Sequence, residues 1–441
     1  MLIRGLAEAF LAGPWDLESL VDRGGRALGR RYRWIRPLAR RILTAFPTGP
    51  RTRTMRLAQF LREDDRFRRA YATQPLTLHV VRWPGRKMAP APGAPELWPV
   101  PSITSPTELA TFLELEPSEL DWFADCQTRE RLGLSEPLRH YRYRWVGKAS
   151  SGSFRLIEAP KPRLKQLQRR LLDEILLHIP PHEAAHGFRP GRSVLSFVAP
   201  HVGRTIVLKM DLRDFFVSIS SARVMAIYLT AGYPEPVARL LTGLCTNTVP
   251  LLVWNQAGPL ELDPSRSPPG WQARRLYRQP HLPQGAPTSP TLANLAAHRL
   301  DVRLAAVAQA AQANYTRYAD DLVFSGGDSF ARSIGRFPTH VAAIALEEGF
   351  SVQHRKTRVM RQGGRQRAAG VVINQKTNVS RDDYDQLKAI LYNCVRHGPG
   401  AQNRSGVTDF QAHLRGRIAS VRRLNAERGE RLMRLFERIE W

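Results

Sequence analysis

Residues 314–325, Asn-Tyr-Thr-Arg-Tyr-Ala-Asp-Asp-Leu-Val-Phe-Ser, place two adjacent carboxylates, Asp320 and Asp321, between short runs of strand-forming residues. Tyr, Thr, Val and Phe favour β-structure, so the stretch predicts a short hairpin with the acids at its tip. Carboxylates in a half-buried hairpin need a cation or a basic partner. Mg²⁺ suits such a pair in a phosphate-handling protein because it takes hard oxygen ligands. The alternative for an isolated Asp-Asp pair is an acidic surface turn.

A further acid follows an apolar run. Residues 205–210, Thr-Ile-Val-Leu-Lys-Met, predict a mostly buried strand, and Asp211 comes directly after it. Open α/β sheets place ligand chemistry at the carboxyl end of a strand. Alone, Asp211 could instead cap the next segment, residues 218–228, which we expect to be helical. Together with Asp320 and Asp321 it could converge on two metal ions, which activate a hydroxyl and stabilise a leaving oxygen in phosphoryl transfer.

The segment between these acids, residues 281–295, contains Gln284-Gly285 followed by prolines and small residues. It predicts a stiff turn that enters an apolar helix. In this order the elements resemble the palm of reverse transcriptases: a first metal-binding acid, a Gln-Gly-x-Pro segment, and Tyr-x-Asp-Asp at residues 318–321. The resemblance implies an α+β fold of the right-hand polymerase type, with fingers, palm, thumb and here a helical N-terminal extension.

The resemblance extends over about residues 140–375. Residues 143–148 and 153–160 resemble the two fingers strands. Residues 186–193, His-Gly-Phe-Arg-Pro-Gly-Arg-Ser, are similar to the next bacterial block. Residues 370–374, Gly-Val-Val-Ile-Asn, resemble the strand that grips the primer. Among reverse transcriptases, these features look most like the bacterial retron-type enzymes.

Two departures keep a related phage-defence reverse transcriptase outside the retrons as an alternative. Ala368-Ala369-Gly370 stands where retron enzymes usually carry Val-Thr-Gly. The Asn-Ala-x-x-His signature is absent, and that region holds residues 245–248 and a Pro/Gly-rich insertion at 256–270. A non-catalytic RNA-binding protein on the same palm is a further alternative, although the presence of all three acids favours activity.

The resemblance implies catalytic and metal-binding roles for one group of residues. Asp211, Asp320 and Asp321 would be catalytic. With the backbone carbonyl of Leu212 they would hold two Mg²⁺ ions, and Mn²⁺ is an alternative ion.

The resemblance also implies a site for the incoming dNTP. Its residues would be Lys148, Arg155, Asp214, Phe215, Phe216 and Gln284. Lys148 and Arg155 would clamp the triphosphate, Arg through bidentate contacts, and the backbone amides of Asp214 and Phe215 would complete the phosphate cradle. A bulky ring at Phe216 would leave no room for a 2′-hydroxyl; the alternative is a core phenylalanine. Gln284 would contact the nucleotide from above.

Primer and template contacts are expected at Tyr318, Gly370 and Arg417. Basic helices after residue 380 suit backbone contacts to an A-form duplex, which is recognised by shape. A solvated helical face would produce the same pattern.

The charge balance indicates a polyanionic partner. Among 441 residues there are 66 Lys and Arg against 39 Asp and Glu, a net charge of +27. Such a charge accelerates encounter with nucleic acid and makes affinity salt-dependent; the alternative is a basic surface produced by Arg-rich codon usage. The expected partners are a structured non-coding RNA, its cDNA, dNTPs and an effector or toxin protein in an anti-phage system.

Composition also indicates the cellular compartment of the protein. No run of about 18 apolar residues exists, so no membrane attachment is expected. Three widely separated cysteines, Cys126, Cys245 and Cys394, fit neither a zinc pattern nor a disulfide framework. Both features favour a cytoplasmic protein.

The predicted domains follow composition and motif order. They are a basic helical N-terminal extension (1–81), a Pro-rich linker (82–102), fingers with a helical extension (103–200), a palm with an insertion at 246–280 (201–375) and a helical thumb (376–441). The N-terminal extension could bind structured RNA or simply pack on the fingers. Residues 105–120 resemble a small helix-turn-helix, whose acids favour a structural role over DNA binding.

Overall fold

The computed structural model of this protein describes residues 2–12, 15–47, 54–79, 98–127, 129–132, 135–147, 154–255 and 271–441. The chain divides into two compact units. One comprises the described residues of 1–94, with 102–117 and 232–238; the other comprises those of 95–101, 118–231 and 239–441. The linker and domain boundaries drawn from composition remain predictions.

The first unit is built from amphipathic helices. They are α1 (Leu2–Leu11), α2 (Leu17–Ala27), α3 (Ile35–Ala45), α4 (Thr54–Glu63), α5 (Asp65–Thr73) and α6 (Pro106–Leu113). In α3, Ile35, Leu38 and Ile42 are buried, whereas Arg36 and Arg40 are exposed. This spacing of three to four residues places apolar side chains on one face of a helix and arginines on the other. The alternation of basic and apolar residues in the sequence therefore produces the helical extension that was predicted.

The strands belong to the second unit. They are β1 (Tyr141–Gly147), β2 (Phe154–Pro160), β3 (Ile206–Arg213), β4 (Ala313–Tyr318), β5 (Asp321–Gly326), β6 (Ser351–Val352), β7 (Arg358–Arg361), β8 (Arg367–Ala368) and β9 (Val371–Val372). β1 and β2 form one hairpin, β8 and β9 another. In the five-stranded sheet β3 is central: it pairs antiparallel with β5 on one side, and with β7 and then β6 on the other.

The buried strand is longer than the sequence predicted. We expected it to end at Met210, but β3 continues to Arg213 because Leu212 and Arg213 pair with Val352 and Ser351 of β6. Asp211 therefore lies within the strand rather than after it.

The remaining helices lie before, between and after these strands along the chain. They are α7 (Pro117–Ala124), α8 (Pro162–Glu174), α9 (Val194–Val198), α10 (Ser221–Thr230), α11 (Glu235–Cys245), α12 (Leu251–Asn255), α13 (Trp271–Tyr277), α14 (Ser289–Ala296), α15 (His298–Ala310), α16 (Asp328–Ser333), α17 (Phe337–Glu347), α18 (Arg381–His397), α19 (Phe410–Leu424) and α20 (Ala426–Phe436). The helix predicted over 218–228 begins later, at Ser221. The preceding residues form turns instead, in which Ser218 N–H donates to the Asp214 carbonyl and Ile219 N–H to that of Phe216.

The last three helices share a core of their own, formed by Leu387, Leu391, Leu414, Ile418 and Leu432 among others. They match the helices predicted for the thumb. Helices and antiparallel sheets together give the expected α+β class. Among the helices that the structure describes, none is both long enough and apolar enough to cross a membrane.

Candidate active site

Three carboxylates meet at the end of the central strand pair. Asp211 of β3 lies directly opposite Asp321 of β5, and Asp320 occupies the turn between β4 and β5. The side chains of Asp211 and Asp321 are only 9% and 22% exposed. The structure therefore brings together the three acids that the sequence predicted to be catalytic.

Backbone hydrogen bonds hold the turn that carries Asp320. The N–H of Leu212 donates to the Asp320 carbonyl (2.8 Å), and the N–H of Gln353 donates to the Asp211 carbonyl (2.7 Å). Ala319 has a φ of 54°, a left-handed conformation that costs a non-glycine residue about 1–2 kcal/mol. A residue keeps such a conformation only where its surroundings impose it. The backbone on both sides of Asp320 is thus fixed by the fold.

The charges of the three acids are only partly compensated. Burial raises the pKa of Asp320, and the nearby carboxylates of Asp211 and Asp321 raise it further. Lys356 contacts both oxygens of Asp211, at 3.0 and 2.9 Å. Lys209 lies 2.9 Å from Asp321. Two acids therefore have a lysine partner, while the surroundings of Asp320 disfavour its charged form.

This donor set fits a divalent cation. Carboxylate oxygens are the ligands that Mg²⁺ prefers, and the mutual repulsion that raises the pKa of Asp320 is relieved by an added positive charge. Across the described residues, no three acidic, histidine or cysteine side chains already form a cage around a metal position. Here Lys356 and Lys209 hold two of the acids instead. A cation at Asp211 would therefore compete with the Lys356 ammonium for the carboxylate oxygens.

The loop after β3 carries two neighbouring phenylalanines whose side chains have different surroundings. Asp214 has a φ of 49°, which redirects the chain just before them. Phe215 is 3% exposed and packs on Phe350, with ring centroids 5.6 Å apart. Phe216 is half-buried and lies 6.2 Å from the ring of Phe188, which is itself 47% exposed. Phe215 is therefore a core residue, and Phe216 is the one beside a solvent-facing aromatic.

The two phosphate-clamping candidates lie on the β1–β2 hairpin. Arg155 is exposed on β2, where it is paired with Val146 of β1. Lys148 falls outside the described residues. The structure thus gives a position for Arg155 alone.

Gln284 is held against the same hairpin by its backbone. Its carbonyl accepts a hydrogen bond from the N–H of Glu158 (2.8 Å). Gly285 has a φ of +137°, and a Cβ there would lie 2.7 Å from the Glu158 carbonyl oxygen, so only glycine fits this close approach. The side-chain Oε1 of Gln284 is buried and has no hydrogen-bond partner among the described residues. A buried acceptor without a partner is unfavourable, and the contact predicted between Gln284 and the nucleotide stays a prediction.

A buried polar network beneath this contact was not anticipated from the sequence. Glu158 is fully buried and accepts hydrogen bonds from Asn247 (2.7 Å) and from Nε2 of His281 (3.0 Å). Burial acts to lower the pKa of His281, but the Glu158 carboxylate outweighs burial and raises it. Asn247 also donates to the hydroxyl of Tyr143 on β1 (3.1 Å). The network joins the hairpin to the segment before Gln284.

The primer and template candidates do not form one cluster. Tyr318 packs on Phe197 with ring centroids 5.6 Å apart, and both belong to an apolar cluster that includes Val371 of β9. Gly370 connects β8 to β9 with a φ of +84°. Arg417 lies half-buried on α19. Tyr318 and the hairpin that contains Gly370 are therefore neighbours, whereas no described contact joins Arg417 to them.

Two further charged residues beside the site were also missed. Arg317 and Asp301 are fully buried and form an ion pair. Tyr315 and Arg317 are two positions apart on β4. Because side chains alternate between the faces of a strand, both are predicted to lie on the same face. A charged residue on the same strand face as an aromatic is the signal that could have identified it.

Comparison with known proteins agrees with this geometry. Residues 146–386 match the family described as "Reverse transcriptase (RNA-dependent DNA polymerase)". The Mx65 retron reverse transcriptase of Myxococcus xanthus is 43% identical over 68% of this chain and 65% of its own length. The Mx162 retron reverse transcriptase of the same organism is 35% identical over 77% of this chain and 67% of its own length. The chain thus spans about two thirds of these relatives.

Among solved structures, a Candida albicans telomerase in complex with a telomeric RNA fragment aligns with this chain. The alignment covers 66% of this chain and 54% of the telomerase chain. Its TM-score is 0.36 at 10% identity, and a similarity this low supports no inference about this chain. The family match spans more than half of the chain and includes all three site acids. Members of this family use divalent metal ions, which agrees with the donor set. The chain belongs to the reverse transcriptase family, and it is a member of the bacterial retron type.

Proposed function

We propose that this chain copies a structured non-coding RNA into DNA from dNTPs. The observation that supports this function best is the pairing of Asp211 with Asp321 across two strands, with Asp320 in the adjoining turn. The strain at Ala319 and the raised pKa of Asp320 indicate that the fold holds these acids together against their repulsion. Sites that hold unfavourable charge are typical of catalysis.

Two Mg²⁺ ions, or Mn²⁺ in their place, are the proposed cofactor. Asp211 and Asp320 would bind both ions, Asp321 would serve as a further ligand and charge partner, and the carbonyl of Leu212 would join the set. When bound, such ions acidify the attacking primer hydroxyl and neutralise the leaving pyrophosphate. The fold supplies the fixed positions of these oxygens. Lys209, 2.9 Å from Asp321, would neutralise part of its charge.

The incoming dNTP would lie between the hairpin and the loop after β3. Lys148 and Arg155 would bind its triphosphate, with the backbone amides of Asp214 and Phe215. Phe216 would exclude a 2′-hydroxyl, and Gln284 would contact the nucleotide from above. Together these groups would orient the triphosphate beside the primer end.

The primer end would be supported by Tyr318 and by the hairpin at Gly370, which belong to one apolar cluster with Phe197. Arg417 would contact the duplex backbone further along α19. Arg422 and Arg423 are exposed on the same helix, so binding of an A-form duplex by its phosphates should weaken steeply with salt.

The proposed biological role is anti-phage defence as a cytoplasmic ribonucleoprotein with an effector or toxin protein. The named relatives are retron enzymes, and the net charge of +27 suits a permanently bound RNA. The product would be cDNA paired with that RNA, or covalently attached to it.

Primer extension on an RNA template tests the catalytic assignment. Asp320→Asn should lower the rate by about 10³-fold or more, because several kcal/mol of charge stabilisation is lost. Its melting temperature should not fall, since a repelling charge is removed. Asp328→Asn, an exposed acid at the start of α16, is the matched control and should extend normally. Normal extension by Asp320→Asn contradicts the assignment, and a collapsed melting temperature would indicate a structural turn.

Sequencing of copurified nucleic acid tests the template. Purification at moderate salt should recover one dominant small RNA with complementary DNA. Heterogeneous cellular RNA without discrete cDNA would contradict the retron function. Untemplated or low-complexity DNA would instead favour a defence-type reverse transcriptase outside the retrons, and no incorporation at all would favour a non-catalytic RNA-binding protein.

A further inference from the structure

Arg317 is a fully buried cation two residues before Ala319, the strained residue of the turn. Its Nε and Nη2 donate to the two carboxylate oxygens of Asp301, at 2.8 and 2.7 Å. Its Nη1 donates to Oδ1 of Asn294 (3.0 Å) and to the backbone carbonyl of Ala319 (3.1 Å). The guanidinium also lies over the ring of Phe215, 5.6 Å from its centroid. Both sides of the ion pair are 0% exposed.

Such a pair is an expensive way to fill a core. Removing two charges from water costs several kcal/mol per ion, and well-packed apolar residues of similar volume are often equally stable or better. What an apolar residue cannot supply is a hydrogen-bond donor in a fixed direction. Arginine presents its N–H groups in a rigid planar fork, and here Asp301 and Asn294 occupy the fork so that one Nη1 hydrogen bond is aimed at Ala319.

The contacted carbonyl belongs to the one left-handed residue of the active-site turn. Ala319 has a φ of 54°, and its carbonyl carbon forms the peptide bond to Asp320. Fixing that carbonyl fixes the peptide plane before Asp320, while the Leu212 N–H fixes the carbonyl after it. On the opposite side the turn is closed by Gly187, where a Cβ would lie 2.9 Å from the Ala319 nitrogen.

We infer that Arg317 is a positioning residue for the polymerase site: with Asp301 and Asn294 it holds the Ala319 peptide so that the Asp320 carboxylate is directed at the reacting groups. The inference rests on the proposed polymerase function. Arg317 does not touch substrate. It acts through the backbone, and its loss should change the rate of the chemical step more than the binding of template or nucleotide.

The test compares Arg317→Lys with a matched control in the same cluster. Lysine keeps the charge beside Asp301 but offers one compact ammonium in place of the fork, so the bond to Ala319 is lost. Tyr315→Phe removes the hydroxyl that donates to Asp301 Oδ1 (2.8 Å), the oxygen that also accepts from Arg317 Nε, and it keeps the guanidinium and its Nη1 hydrogen bonds to Asn294 and Ala319. Both variants should lower the melting temperature. Only Arg317→Lys should lower kcat, by about 10²-fold, as expected for a reacting group displaced by about 1 Å.

Two further readouts separate positioning from general loss of stability. The KM for dNTP should stay close to wild type in Arg317→Lys, and Mn²⁺ binding to the free protein, followed by electron paramagnetic resonance, should weaken. If Arg317→Lys does not fold, Asn294→Ala is tested in its place. This variant removes one of the two acceptors of Arg317 Nη1 without leaving a buried charge unpaired. A several-fold fall in kcat is then expected, because the turn is held less firmly.

The outcomes distinguish the two proposals. A wild-type protein that fails to extend a primer on RNA defeats the proposed function. An active wild type whose folded Arg317→Lys variant keeps its kcat and Mn²⁺ affinity defeats the positioning role. So does a fall in kcat of equal size in Tyr315→Phe, because that result would reflect stability alone.

Discussion

The ammonium of Lys356 lies between both carboxylate oxygens of Asp211, at 3.0 and 2.9 Å. The same carboxylate is a proposed ligand for the catalytic metal. In the absence of metal, the lysine therefore supplies the positive charge that a buried acid requires. Because the Lys356 side chain is 44% exposed, it can move into solvent at small cost when a divalent ion binds.

Replacing this lysine should make the site easier to fill with metal. Lys356→Met removes the competitor for Asp211, so the Mg²⁺ concentration that gives half of the maximal thermal stabilisation should fall. In metal-free buffer the same variant should melt at a lower temperature, because Asp211 is left buried without a partner. Thermal unfolding across a Mg²⁺ titration measures both effects.

The matched control is Lys388→Met on α18, an exposed lysine outside the carboxylate cluster. It removes the same charge and should leave the Mg²⁺ midpoint unchanged. Equal midpoints in all three proteins would show that Lys356 does not compete with metal at Asp211.

Sugar selection should depend on Phe216 and not on its neighbour. Phe216→Val should raise incorporation of ribonucleotides relative to deoxynucleotides, because the volume beneath the 2′ position is opened. Phe215→Leu is the control: Phe215 packs on Phe350 in the core, so this change should lower stability by about 1 kcal/mol without altering selection. The ratio of dNTP to rNTP incorporation efficiency is the measurement, and an unchanged ratio in Phe216→Val would assign discrimination to another residue.

The sequence predicted those parts of the site that depend on local pattern and motif order. Alternation and strand-forming residues identified the hairpin at 314–325, and an apolar run identified most of β3. The order of the acids and the Gln284-Gly285 turn then indicated a reverse transcriptase, which family membership confirms. Helical periodicity likewise located the three C-terminal helices, since each buries one face of its own.

The ion pairs around the acids could not be predicted, because they join residues far apart in the chain. Lys356 and Asp211 are 145 positions apart, and nothing in the local sequence favours that partner over any other base in a chain with 66 of them. The end of β3 was misplaced for the same reason: pairing with β6, a distant strand, extends it past Asp211. The orientations of Phe215 and Phe216 depend on the turn at Asp214, whose left-handed φ of 49° is uncommon for a non-glycine residue.

Gly187 should tolerate no side chain. A Cβ at this position would lie 2.9 Å from the Ala319 nitrogen and 3.3 Å from the Tyr318 ring, so Gly187→Ala must displace the turn that carries Asp320. A shift of about 1 Å should lower kcat by about 10²-fold. Gly335→Ala, where a Cβ meets nothing within 4 Å, is the control and should be fully active. Wild-type kcat in Gly187→Ala would mean that the turn can yield without cost to catalysis.

Stability should fall in mild acid because of His201. This imidazole is fully buried, with Nδ1 2.6 Å from the hydroxyl of Ser325 and Nε2 2.7 Å from that of Thr316. Burial, followed by the charges of His186 and Arg204, lowers the pKa of His201 to about 3. In the unfolded chain the group titrates near its ordinary value of about 6.5, so the unfolded state takes up a proton first as the pH falls.

The resulting contribution to stability is complete above pH 6.5 and is lost as the pH falls from there towards 3. The loss should approach about 1.4 kcal/mol per pH unit below pH 6. His201→Gln has no group that titrates in this range, so the pH dependence of its unfolding free energy should be shallower by about one proton, although its stability at pH 7 is lower. Urea unfolding of both proteins at pH 7 and pH 5 measures the difference. Equal slopes would mean that His201 takes up its proton in the folded state as readily as in the unfolded chain, with both hydroxyls then accepting hydrogen bonds from the ring.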